Sequence, residues 1–360
     1  MKYLHNYNTN AEFTPEYEGE GYLEPWVSYT KEPDRVDYNK NPNAVPLTFR
    51  MRESGVFVIG VPASDWAGGP EEGDVIHYSI NDGPWQDFTY VPDTQSGWGW
   101  ETLELQLNEG DTLAVKATLP DRGCYGDFGI ADNGGNVAYD VYGNIMSIVD
   151  ENKYPRMTEF PSSWETPNFT HFFAGSGVVD ASKLIMPLKH VTRSVYALMF
   201  NGCHSLESIP KFQAETVSTD GAMMGMFSDC YNLVNVPEDL FMSIQNIEGT
   251  ASGVHLFDFC GTTFFGYCTK LVEAPILPDI KNADGESLDY YEIFWKCTSL
   301  THIKSYFPGK EDYDGTIDAR YFGIHTSTTY PAGGVLEVPA ESVPKIVNLP
   351  AGWTVQAIED

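Results

Sequence analysis

The string MFNGCHSLESIP at residues 199–210 returns as MFSDCYNLVNVP at 226–237, FFGYCTKLVEAP at 264–275 and IFWKCTSLTHIK at 293–304. In each copy a phenylalanine stands three residues before a cysteine, a leucine three after it, and an aliphatic residue or alanine six after it. Proline closes the first three copies, and Lys304 takes its place in the fourth. No reaction needs one layout four times over, but an array does. A single unit of this kind cannot bury its apolar side alone, whereas stacked neighbours share one core. A fifth copy lies upstream in HFFAGSGVVDAS, with Phe173, Ser176 and Val179 in the phenylalanine, cysteine and leucine slots. The anchors are therefore residues 176, 203, 230, 268 and 297, and the longer third interval places an insertion within SIQNIEGTASGVHLFDFCG.

The pattern names a repeat core of Phe173, Phe200, Cys203, Leu206, Phe227, Cys230, Leu233, Phe265, Cys268, Leu271, Phe294, Cys297 and Leu300. Aromatic and cysteine positions three apart share one face of a short helical turn, extended by Tyr196 and Met199 in the second copy. The leucine and the following aliphatic residue then enter a short strand, which proline stops. A cysteine fixed by a repeat is expected to be a buried thiol, since free cysteine is among the most buried side chains. Cys124 and Cys260 fall outside the pattern and have no assigned role. There is no CxxC pair and no Cys/His zinc spacing, so no metal and no cofactor are expected.

The chain ahead of the repeats reads differently. From about 45 to 145 apolar residues alternate with polar ones, as in Leu47, Phe49 and Met51, or LELQL at 103–107. VIHYSI at 75–80 meets the turn Asn81-Asp82-Gly83, a strong hairpin signal, before PWQDFTYV. VFVIGV, TLAVKA and VAYDVYG supply further strands. Six or more short strands with turns every ten residues or so predict an antiparallel β-sandwich. Residues 1–44 lack periodicity and are broken by Pro25, Pro33 and Pro42, yet are too aromatic for a solvated linker. Tyr22, Trp26, Tyr29 and Tyr38, with Tyr17, suit a segment ordered by contact with a partner or a neighbouring domain.

These motifs resemble the BspA-like leucine-rich repeats of bacterial surface proteins, especially of gut Bacteroidales. SINDGPWQDF, NEGDTLAVKA, VYGNIMSIVD and GVVDASKLIMP are similar to the sandwich and joint that precede such repeats, and CTSLTHIKSYF and LPAGWTV to the terminal repeat and cap. The opening KYLHNYN…YLEPWVSYT…RVDYNK resembles that of Bacteroidales proteins linked with prophage and phage structural genes. Ser176 for cysteine, Lys304 for proline and the insertion depart from the repeat pattern. The resemblance implies display and recognition, by adhesion or by protein or glycan binding, and carries no catalytic residue with it.

Charge narrows the partners. The formal net charge is −30, spread along the chain, which disfavours phosphate backbones and anionic membranes. No run of eighteen apolar residues predicts a membrane span. The start, MKYLHNYNTNAEF, has no apolar stretch of the secretory kind. The expectation is a chain not exported by that route, or one whose signal is absent from this sequence.

Residues that carry chemistry are scarce. No pair of carboxylates is singled out as a glycosidase would require, and no GxSxG, phosphate-binding glycine loop or HExxH occurs. Asp312, Asp314 and Asp318 suggest calcium, but the remaining ligands of an EF-hand loop are missing, and a solvated acidic loop is the better reading. Trp98 and Trp100 in SGWGWETLEL share a side if extended, and Trp66 lies in ASDWAGG. All three offer flat apolar surfaces to sugar rings or partner side chains. The competing reading puts them in the sandwich core or against the leader.

Taken together the residues and the resemblance they carry predict a multidomain β plus α/β chain that is not an enzyme. Its parts are an N-terminal extended attachment segment (1–44), an antiparallel β-sandwich (45–145), a short BspA-like leucine-rich-repeat solenoid (146–306) and a C-terminal cap (307–360). The expected role is a surface-displayed attachment or structural protein, foremost a phage virion component such as a fibre, decoration or host-attachment subunit. Its partners would be proteins of a larger assembly, further copies of itself, or a host surface protein or glycan. The alternative is a bacterial cell-surface adhesin or glycan-binding protein.

Overall fold

The structure, a computed structural model, describes residues 42–61, 73–89, 101–118, 137–162, 169–252, 256–258, 262–324 and 326–359. It is mostly β-sheet with few helices. The N-terminal strands are β1 (Leu47–Met51), β2 (Gly55–Val61), β3 (Val75–Ile80), β4 (Gln86–Thr89), β5 (Glu101–Leu107), β6 (Thr112–Ala117) and β7 (Tyr139–Asn144). Next come β8 (Val178–Ile185), β9 (His190–Val191), β10 (Thr216–Ser218), β11 (Asn246–Glu248) and β12 (Lys281–Asn282). The last five are β13 (His302–Lys304), β14 (Ile317–Asp318), β15 (Val335–Val338), β16 (Ile346–Val347) and β17 (Thr354–Ala357).

Six strands form one sheet in the order β4-β3-β6-β1-β7-β8, and β2 pairs with β5 as a separate antiparallel ribbon. Alternation decides what each strand buries: Phe49, Leu113, Val115, Tyr139 and Val141 point into one core, joined by Phe57 and Ile59 of the ribbon. Phe57 meets Phe49 at 4.9 Å and Tyr139 at 5.3 Å between ring centroids, so aromatic packing closes the ribbon onto the sheet. Asn81 and Asp82 take positive φ (52° and 53°) between the antiparallel β3 and β4, and Gly83 N–H returns to Ile80 O at 2.9 Å. Both central residues are left-handed, as a tight twisted hairpin requires.

The last strand of that sheet begins the repeats. β8 runs parallel to β7, with Tyr139 opposite Val178, and on its other side Asp180 bridges to Ser208, which bridges to Asn235. The boundary read at residue 145 thus lies between two hydrogen-bonded strands. Ring packing crosses it too, Phe49 lying 6.4 Å from Phe173, and Tyr139 Oη donates to Ser176 Oγ at 2.9 Å.

Downstream the named strands pair in parallel, and two isolated bridges, Lys281 to Ser287 and Glu311 to Ile317, are antiparallel. β9, β10, β11 and β12 form a four-stranded ladder with Val191, Val217 and Ile247 in register. β13, β15 and β17 form another, and β14 pairs with β16. Residues 307–360 therefore extend the ladder that starts at His302. Near its end Gly334 lies against Trp353, where a Cβ would come within 2.1 Å of the indole.

A third column joins the rungs, and it differs from the helical turn expected. Segments such as 194–203 are chains of hydrogen-bonded turns. Among the described residues the named helices are short 3-10 pieces, and no helix is long and apolar enough to cross a membrane. Tyr196, Leu198, Phe200 and Gly202 donate their N–H groups to Ala222, Met224, Met226 and Ser228 of the next rung at 2.7–2.9 Å. The intervening N–H groups reach back three residues, as Met199 does to Tyr196 and Cys203 to Phe200. Left-handed residues recur every fourth position, at Ser194, Leu198 and Gly202 and again at Gly221, Gly225 and Asp229. An α-helix tolerates no such recurrence. Turning alternate N–H groups outward satisfies the backbone between rungs instead of within one helix.

Phe173, Phe200, Phe227, Phe265 and Phe294 are fully buried and stack in one file, at 5.0, 5.3, 5.9 and 5.6 Å with planes within 20°. Each such ring contributes about 1.5–3 kcal/mol by leaving water. Leu206, Leu233, Leu271 and Leu300 are equally buried. The insertion of the third interval also feeds the core: Phe257 is buried, 5.7 Å from Phe241 and 5.9 Å from Tyr290.

Candidate functional site

The interior fixes what is left outside. Each anchor thiol donates to the carbonyl oxygen of the preceding repeat's phenylalanine: Cys203 to Phe173 at 2.9 Å, Cys230 to Phe200 at 3.2 Å, Cys268 to Phe227 at 3.2 Å and Cys297 to Phe265 at 3.0 Å. Burial pushes the Cys203 thiol up to about 12 and the Cys230 and Cys268 thiols well above their ordinary value, so all three stay protonated donors. At the first repeat Ser176 accepts from Tyr139, and at the far end Tyr330 Oη donates to Phe294 O at 3.3 Å. All four anchor cysteines are free and buried. Their role is structural, and inert thiols of this kind offer no nucleophile.

With Phe, Cys and Leu turned inward, His204 and Tyr231 are exposed after their anchors, and Tyr267 and Trp295 are half-buried before theirs. The residue before each anchor is left-handed in all five repeats: Gly175, Gly202, Asp229, Tyr267 and Lys296, with φ between 62° and 72°. Glycine takes this conformation freely, whereas a side chain there costs about 1–2 kcal/mol. The first two repeats use glycine; the third, fourth and fifth do not.

Here four aromatic side chains come together on consecutive repeats. His204 and Tyr231 stack face to face at 4.7 Å and 15°, and Tyr267 and Trp295 meet edge to face at 5.3 Å and 67°. Thr269, two residues after Tyr267, donates its hydroxyl to Tyr231 O at 3.3 Å and so holds the second pair beside the first. Tyr231 is 39% exposed and hydrogen-bonds Asp229 Oδ1 at 3.1 Å, which with the neighbouring charge raises its pKa. Asn232 gives its amide N–H to His204 O at 2.8 Å, and Lys296 Nζ lies 5.8 Å from the Trp295 ring centre. The result is a strip of rings with hydroxyl, imidazole, amide and carboxylate groups along it. Such a surface can pack against rings or C–H faces and hydrogen-bond a polar partner.

A second exposed aromatic lies on the N-terminal sheet. Trp85 is 41% exposed with Lys116 Nζ 4.6 Å above its ring. Lys116 reaches Glu151 at 3.1 Å, Glu151 reaches His77 at 3.6 Å, and His77 reaches Asp87 at 2.7 Å. These groups answer one another, as surface ion pairs commonly do.

The binding residues read from the sequence, Trp66, Trp98 and Trp100, lie outside the described residues. So do Tyr22, Trp26, Tyr29 and Tyr38 of the leader, and Cys124 and Cys260. The acidic trio does not converge. Asp314 accepts from Thr316, while Asp318 accepts from Arg320 N–H at 2.9 Å and Asn348 Nδ2 at 2.8 Å. Among the described residues no group of three or more His, Cys, Asp or Glu side chains stands together as a metal site.

His204, Tyr231, Tyr267 and Trp295 were not singled out by sequence. One signal points to three of them: His204, Tyr231 and Tyr267 stand at repeat positions where other copies carry Gly or Thr. No protein-family model matches the chain, and neither a curated protein nor a solved structure matches it.

Proposed function

We propose that this chain is a non-enzymatic attachment or structural protein, displayed on a surface and touching its partner through the outside of the repeats. In this reading the parallel ladders are the rungs of a short solenoid of the BspA-like leucine-rich-repeat type. The six-stranded sheet and its ribbon are the β-sandwich before it, and residues 307–360 are its cap. The favoured setting is a phage virion, as a fibre, decoration or host-attachment subunit held by residues 1–44. The observation that supports it is the division of labour at the anchors. Interior positions keep Phe, Cys and Leu in four of the five repeats, while the positions beside them vary and carry aromatics that packing does not require. Repeat arrays present such variable outer positions to partners. Weak contacts on many copies add up by multivalency. The resemblance to Bacteroidales surface and phage proteins also favours the alternative, a bacterial cell-surface adhesin.

Fractionation separates the two settings. Particles purified from a producing culture should contain the chain, and a chain lacking residues 1–44 should be lost from them. Retention of the shortened chain on particles overturns the anchoring role. Recovery of the full chain only with bacterial envelopes favours the adhesin.

A further inference from the structure

We infer that the strip formed by His204, Tyr231, Tyr267 and Trp295 binds an uncharged, linear glycan laid across the rungs. This rests on the attachment reading and names the ligand class of that site.

The fold does not ask for these rings. At the position after the anchor, where His204 and Tyr231 stand, other repeats carry Gly177, Thr269 and Thr298. Tyr267 occupies a left-handed backbone (φ 62°) for which the first two repeats use Gly175 and Gly202. Asp229 and Lys296 take the same conformation in their repeats, so the turn column sets this backbone and does not call for a ring.

The spacing suits a chain of sugar rings. Rungs of parallel strands lie about 4.7–4.9 Å apart, close to the advance per residue of an extended glycan. The ring pairs are separated by 4.7 and 5.3 Å. His204 and Tyr231 lie face to face, and both are exposed. Tyr267 and Trp295 meet at 67°, so their faces cannot all be hidden against each other, and a face left open packs against sugar C–H groups.

Charge selects a neutral ligand. A chain of net charge −30 repels sulfated or uronic-acid polymers. The strip's own Asp229 and Lys296 carry opposite charges. Asp229, Asn232 and Tyr231 are groups able to bond sugar hydroxyls. An extended peptide fits less well: the backbone N–H groups of the turn column bond rung to rung, as Tyr267 does to Trp295 O at 2.9 Å, leaving no edge to which a strand could add.

The test uses the full chain on an array of neutral linear oligosaccharides (glucans, mannans, xylans and chitin fragments) alongside sulfated and uronic-acid ones. Neutral oligosaccharides should bind, with affinity rising from disaccharide to tetrasaccharide in titration calorimetry. Trp295→Ala and Tyr231→Ala should each weaken binding at least tenfold, and Trp85→Ala should leave it unchanged. Tyr267→Gly suits its backbone angle, so it should fold as well as the parent and still lose binding. The inference fails if no neutral glycan binds, if acidic ones bind better, or if Tyr267→Gly and Trp295→Ala bind as the parent does. A chain that binds no glycan yet is incorporated into particles through residues 1–44 keeps the attachment reading and loses this one.

Discussion

The thiol of Cys230 donates to the carbonyl oxygen of Phe200, one repeat earlier in the stack, at 3.2 Å. That oxygen also accepts the backbone N–H of Cys203 at 3.1 Å. The cysteine is thus a clasp between rungs as well as a small apolar filler, and its removal leaves a buried acceptor short of one partner. Cys230→Ala should cost about 1–3 kcal/mol. Cys230→Ser, which keeps a donor, should cost less. The midpoint of urea unfolding measures both.

The same thiols should set an alkaline limit. Cys203 holds its proton to about 12 in the folded chain, against an ordinary 9.0 when unfolded, because burial disfavours the thiolate. A folded pKa above the unfolded one means stability that is whole below about pH 9 and is lost as pH climbs toward about 12. Cys230 shifts in the same direction. Urea midpoints taken from pH 8 upward should fall, and more shallowly in Cys230→Ser, whose hydroxyl does not titrate there. An equal slope in both proteins would show that the thiols do not carry the effect.

Two glycines should respond unequally to alanine. Gly143 has φ +82°, and a Cβ there would sit 2.0 Å from Pro46 O, a backbone atom that cannot step aside. Gly175 has φ +70° with nothing within 4 Å. Gly175→Ala should cost about 1–2 kcal/mol, the strain of the left-handed backbone alone. Gly143→Ala should cost more than about 3 kcal/mol, or prevent folding, because the clash adds to the strain. Thermal unfolding of the two variants tests the ranking.

Tyr139 and Ser176 couple the N-terminal sheet to the first repeat. In a double-mutant cycle Tyr139→Phe and Ser176→Ala should show an interaction of about 0.5–1.5 kcal/mol, since each alone breaks the same 2.9 Å bond. Strict additivity would mean that the two parts meet there without exchanging energy.

Much of the β-rich character was legible because period-two alternation and the Asn81-Asp82 turn are local signals. The Phe-x-x-Cys-x-x-Leu string likewise marks residues that share one environment: Phe200 and Phe227 stack, and Cys203 and Cys230 bond alike. The helical turn was misjudged because a spacing of three fits both a helix and a chain of four-residue turns. Only φ separates them, and Asp229, Tyr267 and Lys296 do not advertise a left-handed backbone as glycine does. The pairing of β7 with β8 was hidden too, since parallel partners far apart in sequence leave no local trace. The aromatic strip escaped notice for a related reason. His204 and Tyr231 follow the anchor, whereas Tyr267 and Trp295 precede it, so no single repeat position lines them up until the rungs are stacked.

The two ends of the thiol file have a consequence for size. Between them each clasp is alike, a sulfur reaching back one repeat, whether the interval is the 27 residues from Ser176 to Cys203 or the longer one that carries the insertion, so a whole repeat can be added or lost without new chemistry. At the termini a hydroxyl stands in for the sulfur: Ser176 under Tyr139 at one, Tyr330 over Phe294 at the other. A lineage of such chains could therefore change its reach in discrete steps while its two closing pieces stay the same.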